Sequence, residues 1–110
     1  TTRCQYLRHN ARRRSLMYGT IFTLNIKPGH HDALIKALTE QDPPAGMVAW
    51  FVMNPDAQES WIGVAIFEDK ETYVANAESP QQHESFLKMM EHLDSEPTWT
   101  DGTYVGGVIA

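Results

Sequence analysis

The sequence predicts an α+β domain with its elements in the order β-α-β-β-α-β, and three observations lead there. Two apolar stretches, 47–53 and 61–67, flank Asn54-Pro55-Asp56-Ala57-Gln58, which has the composition of a hairpin loop. Segments with apolar residues at helical spacing lie on either side of that hairpin. Strand-type segments open and close the body, at 18–26 and 103–109. At 110 residues this is one domain, and a chain of that size buries only about two thirds of its unfolded surface, so its core is modest.

In residues 18–26 the alternation puts Tyr18, Phe22, Leu24 and Ile26 on one face and Ile21, Thr23 and Asn25 on the other. Lys27-Pro28-Gly29 stops the strand. Residues 30–41 carry Leu34, Ile35 and Leu38 at helical spacing, with Asp32 in the first turn, where the helix dipole favours a carboxylate. Asp42-Pro43-Pro44-Ala45-Gly46 breaks this helix, and Gly46 is free to take a positive φ. Asp69 is placed to cap a short helix running to Ala77. Ser79 then caps another, with Pro80 in the first helical position and Gln82 closing a capping box. Phe86, Leu87, Met90 and Leu93 form the apolar face of this last helix, and the order of elements is the ferredoxin-like pattern.

The central strands are apolar on both faces. Val48, Trp50 and Val52 alternate with Ala49, Phe51 and Met53, and Ile62, Val64 and Ile66 alternate with Trp61, Ala65 and Phe67. A sheet with one wet face alternates apolar and polar residues instead. Helices in so short a chain cover only one face, so the sheet of a second subunit is the simplest cover for the other and a homodimer is expected.

The hydrophobic and charged fractions, 42% and 21%, are those of a globular protein, and no apolar run approaches the roughly 18 residues that cross a bilayer. No membrane partner is expected. The lone Cys4 offers no internal disulfide and no cysteine-based zinc site, which fits a reducing cytoplasm. All five arginines precede Met17, where there is no acid, giving residues 1–16 a charge of +5. From Met17 onward four lysines face all fourteen acids, leaving −10. The body therefore repels polyanions, and no nucleic-acid partner is expected for it. The basic arm has the composition of a nucleic-acid or anionic-lipid contact, or of a transit peptide. The favoured reading makes it an upstream extension before a natural start at Met17, or an arm lying across the acidic body, with 17–110 as the domain.

Lys27-Pro28-Gly29 after the first strand, Gly46 opening the second, the run Phe67-Glu68-Asp69-Lys70-Glu71-Thr72-Tyr73, and Ala77-Glu78-Ser79-Pro80 followed by Phe86 together resemble the antibiotic biosynthesis monooxygenase family. That family is part of the dimeric α/β-barrel superfamily, and the resemblance covers nearly all of 17–105. It implies a barrel built from two four-stranded sheets, one per subunit, with the helices outside. It also implies a monooxygenase that uses no cofactor and acts on a small aromatic or quinol-type compound. The chain departs from many relatives in having Phe67 where they have tryptophan and Asn76 where they have histidine. The Asn/Trp/His set of the haem-degrading branch is not recoverable, since Phe22 and Phe67 occupy its first two positions.

A cofactor-free oxygenase needs an apolar pocket, a base to make an electron-rich anion, and hydrogen-bond donors for that anion. His83, three and seven residues before Phe86 and Met90, is read on the inward edge of the last helix, and an imidazole pKa near 6.5 suits a base. Asn76 and Tyr73 lie three apart on one helical face and present an amide and a phenol to the same ligand. Trp50, Trp61, Phe67 and Phe86 supply apolar walls, and Asn25 is placed to reach the pocket from the end of the first strand. Each residue also has a plainer role: His83 as a wetted boundary residue, Tyr73 as packing, the tryptophans as core or interface, Asn25 as a turn cap. His30-His31-Asp32 and the pair His83 and His92 give no metal reading. Adjacent histidines diverge, and nine helical residues separate the last two by more than about 13 Å. No Gly-rich phosphate loop or nucleophile elbow is present. The alternative function is a non-catalytic dimeric module that binds an apolar metabolite or serves a structural or stress-related role.

Overall fold

The computed structural model describes residues 16–110, so the basic arm, apart from Leu16, lies outside the described residues. The elements are β1 (Tyr18–Leu24), α1 (His31–Thr39), β2 (Met47–Met53), β3 (Trp61–Phe67), α2 (Lys70–Ala77), α3 (Pro80–Met90) and β4 (Thr98–Thr103). The strands form one antiparallel sheet in the order β2-β3-β1-β4, the ferredoxin-like arrangement expected from the sequence.

Local signals set most boundaries. β1 stops at Leu24 rather than Ile26 because the backbone there changes partners. Asp94 N–H donates to the Asn25 carbonyl at 2.8 Å, Lys27 N–H donates to the His92 carbonyl at 2.9 Å, and Ile26 keeps only an isolated bridge to Leu93. α1 ends at Thr39, two residues short of the predicted end, with Glu40 as its C-cap, still in helical backbone and donating to the Lys36 carbonyl at 3.0 Å. Gly46 takes φ 82°, turning the chain into β2, and its carbonyl accepts from Glu68 N–H at 2.9 Å. Asp69 caps α2 by accepting from Thr72 N–H at 2.8 Å. Ser79 caps α3 by accepting from Gln82 N–H at 3.1 Å. The reciprocal half of that capping box is not made, because Ser79 N–H donates instead to the Asn76 carbonyl at 3.0 Å.

Two expectations about the strands are corrected. A bulge between Met47 and Ala49 takes Val48 out of the alternation with Trp50 and Val52, and Val48 is exposed. The last strand is Thr98–Thr103, not 103–109. It follows the buried Pro97 and pairs with β1 until Tyr104 N–H donates to the Met17 carbonyl at 2.8 Å, where the ladder ends. Val105, Val108 and Ile109 are β-formers by composition, but no strand among the described residues pairs with them and all three are exposed.

The core lies between the sheet and the helices. Leu24, Leu34, Met89 and Leu93 are buried together, with Phe22, Ile26, Leu38, Trp61, Phe86 and Met90 packed around them. Each fully buried leucine contributes about 2 kcal/mol of burial energy. The opposite face of the sheet carries the cross-strand rows Phe51, Val64, Ile21 and Met53, Ile62, Thr23. On it Phe51 is 67% exposed, Met53 55% and Ile21 46%, so these largely apolar rows stand uncovered among the described residues. Among the described residues no helix is long and apolar enough to cross a membrane.

Candidate active site

The helix-covered side of the sheet opens into a cavity of about 510 Å³, within the range of small-molecule sites. Its floor follows from strand register. Trp50 on β2 sits beside Ala65 on β3, Ala65 beside Thr20 on β1, and Thr20 beside Asp101 on β4; Phe22 and Trp99 form the neighbouring row. The small Ala65 leaves room at the centre of this floor. Gly63 serves a related purpose, since a Cβ there would lie about 2.2 Å from the Phe22 ring that covers it. Phe67, 1% exposed, closes the floor at the end of β3.

The roof comes from the helices. α2 contributes Tyr73 and Asn76, the first turn of α3 contributes Gln82 and His83, and Phe86 and Met89 follow one and two turns later. The end of α1 and residues 41–44 form the remaining side. The Tyr73 ring stands edge-on to Phe67 at 5.5 Å between centroids, and Phe22 and Trp99 are 5.2 Å apart.

Two pairs of polar side chains are engaged with one another. Tyr73 OH donates to Asp101 Oδ1 at 2.9 Å. Burial, and then the hydrogen bond and negative charge of Asp101, push the Tyr73 phenol up to about 12, against a smaller opposing effect from the Thr20 hydroxyl. Tyr73 is thus a neutral donor at any ordinary pH, not a base. Asn76 Nδ2 donates to Gln82 Oε1 at 3.3 Å, which leaves the amide a second N–H. Among the described lining residues the acids are Asp42 and Asp101, and there is no lysine or arginine.

Of the eight residues singled out from the sequence, His83, Asn76, Tyr73, Trp50, Phe67 and Phe86 line this one cavity. His83 is exposed at its rim rather than turned inward. Trp61 and Asn25 lie elsewhere. Trp61 shares a face with Phe67 but sits at the other end of a seven-residue strand, roughly 20 Å away at 3.3 Å per residue. It meets the edge of the His31 ring at 5.3 Å, and with Asn25 it lines a separate, more polar cavity. The Asn25 side chain is held by hydrogen bonds to Ser60 and Ser95. His92, read from the sequence against His83, instead meets His30, with their Nδ1 atoms 3.1 Å apart. Among the described residues no three histidine, cysteine, aspartate or glutamate side chains gather in one place.

Sequence reasoning missed Thr20, Gln82, Trp99 and Asp101. The last two were hidden by the misplaced final strand. Thr98-Trp99-Thr100 after a proline is a strand start, and alternation from it would have put Trp99 and Asp101 on one face.

No family model matches this sequence, and no curated protein matches it. Solved structures do share its fold. A "putative antibiotic biosynthesis monooxygenase" from Chloroflexus aurantiacus superimposes with a TM-score of 0.64 at 21% identity, covering 84% of this chain and 98% of that one. Proteins of the same description from Caulobacter crescentus and Bordetella bronchiseptica both give 0.71, at 11% and 14% identity. They cover 83% of this chain each, and 92% and 99% of their own. At identities this low the likeness concerns the fold alone, and the shared fold is the single-chain ferredoxin-like arrangement that the sequence resemblance implied.

Proposed function

We propose that this chain is a homodimeric, cofactor-independent monooxygenase acting on a small aromatic or quinol-type compound. The observation that supports it is the aromatic-walled cavity lined by an imidazole, an amide and a phenol, on a fold shared with proteins described as monooxygenases. In this reading the substrate's flat body lies against Trp50, Phe67 and Phe86. His83 at the rim takes a proton from an acidic C–H or O–H of the substrate, and the free N–H of Asn76 stabilises the resulting anion, joined by the neutral phenol of Tyr73 when its proton turns from Asp101 to the ligand. The anion passes an electron pair to dioxygen. One oxygen atom stays on the substrate and the other leaves as water, with the substrate's own two hydrogens, so no external reductant enters the balance.

Two further parts of the proposal have their own support. The uncovered apolar face of the sheet favours a second copy as its cover, and native mass spectrometry should give twice the 12.5 kDa chain mass. The lone Cys4 supports a reducing, cytoplasmic setting.

Oxygen uptake with a panel of anthrones and quinols, without added metal or flavin, tests the reaction. A His83→Ala variant should fold and lose roughly 100-fold or more in rate, the usual scale of a positioned base. Undiminished uptake in that variant removes His83 from the reaction. A second reading, a ligand-binding dimer without turnover, is supported by the exposure of His83 and by the commitment of the Tyr73 proton to Asp101. It predicts binding of the same compounds and no uptake with any of them.

A further inference from the structure

We propose that the cavity selects aromatic ligands bearing a protonated amine and discriminates against aromatic carboxylates, with Asp101 as the residue that reads the charge. This rests on the reading of the cavity as a ligand site, but not on turnover there.

The sign of the site comes first. Its described lining holds two carboxylates and no lysine or arginine, within a body of net charge −10 from Met17 onward. An anion entering would meet an unfavourable field and no cationic side chain among the described lining residues, whereas a cation is drawn in.

Geometry then singles out Asp101 over Asp42. Asp42 belongs to the loop after α1, while Asp101 sits on β4 beside Thr20 in the floor. Tyr73 OH holds Oδ1 of Asp101 at 2.9 Å, and Oδ2 has no hydrogen-bond partner among the described residues. The phenol thus fixes the carboxylate and leaves one oxygen for a ligand. Trp99 is two residues before Asp101 on the same face of β4, so the backbone positions that carry an indole and a carboxylate are about 7 Å apart along the strand and both side chains line the cavity. An ammonium between them gains both an ion pair and the attraction of an electron-rich ring face. Phe22, 5.2 Å from Trp99, continues the aromatic wall towards the interior, where the ligand's apolar body would lie.

Three probes of nearly equal size separate charge from shape: naphthylmethylamine, naphthylmethanol and naphthoate, titrated into the full-length protein by calorimetry at about pH 8, above the ordinary imidazole range. The amine should bind about fivefold tighter than the alcohol and the carboxylate about fivefold weaker, the scale of a solvent-exposed ion pair with a cation–π contact. Raising the salt concentration should shrink the spread. Asp101→Asn keeps an acceptor for Tyr73 while removing the charge. It should abolish the advantage of the amine and leave the alcohol within about twofold. If that variant does not fold, the salt dependence of the unaltered protein decides instead. Alcohol binding without an amine preference, or an unchanged preference in Asp101→Asn, overturns the assignment and leaves the pocket standing. Failure of all three probes to bind overturns the ligand site as well. An amine preference without oxygen uptake removes only the oxygenase.

Discussion

The helix-covered face of the sheet is filled at one end and open at the other, although β1, β3, α1 and α3 reach both. At the filled end Leu24, Leu34, Met89 and Leu93 close on one another. There the end of β1 is tied to the segment after α3 by the Lys27–His92 and Asn25–Asp94 backbone hydrogen bonds and by the His30–His92 contact. At the open end the roof is α2, eight residues long with none buried, and its inward groups are polar. Clamped element ends bring apolar side chains into contact and exclude space. A short, capped helix with no apolar stripe stands above the sheet without filling what lies beneath it.

The largest expected effect is at the filled end. Leu34→Ala should cost about 3 kcal/mol in urea unfolding, whereas Phe86→Ala, half-buried at the wall of the cavity, should cost roughly half as much while weakening ligand binding. Equal losses would mean that the cavity is as tightly packed as the core. Gly63→Ala tests the border between the two ends. The added Cβ would displace the Phe22 ring, which touches both the core cluster and the cavity, so stability should fall by about 2 kcal/mol and naphthyl-sized ligands should bind less well. Unchanged stability would show that Phe22 swings freely between the two.

The smallest effect belongs to Tyr73. Its phenol is raised from 10.0 to about 12 in the folded chain, so the unfolded chain loses this proton first. The stabilisation it provides is complete below about pH 10 and is lost as pH rises towards 12. After discounting for its partial contact with solvent, that loss is about 1 kcal/mol. Denaturation curves across this range should flatten in Tyr73→Phe. The same slope in the variant would assign the pH dependence to other tyrosines, of which Tyr104 is also raised, by burial.

Much of this was legible without coordinates. Asp69, Ser79 and Gly46 act where their neighbours suggested, because a cap or a positive φ is decided within about four residues of chain. The two-sided apolar character of β2 and β3 follows from period-two alternation, and the exposed rows around Phe51 and Ile21 are its structural form. The candidate site was legible only in part. Tyr73, Asn76, His83 and Phe86 share one roof because helical spacing carries them there. Asp101 and Trp99 stayed hidden because the strand start after Pro97 competes with the β-branched tail from Val105 to Ile109, which carries a similar local signal, and only pairing with β1 decides between them.

The sequence by itself determined the order of the elements, their caps and turns, and which residues of β1 and β3 share a face. All of these depend on interactions between near neighbours. Only the tertiary structure decided that Trp61 and Phe67, on one face of one strand, serve different cavities, that β4 is the segment paired with β1, and that Asp101 reaches Tyr73. Those outcomes depend on register and on which elements pack tightly, which are set by contacts between residues dozens of positions apart.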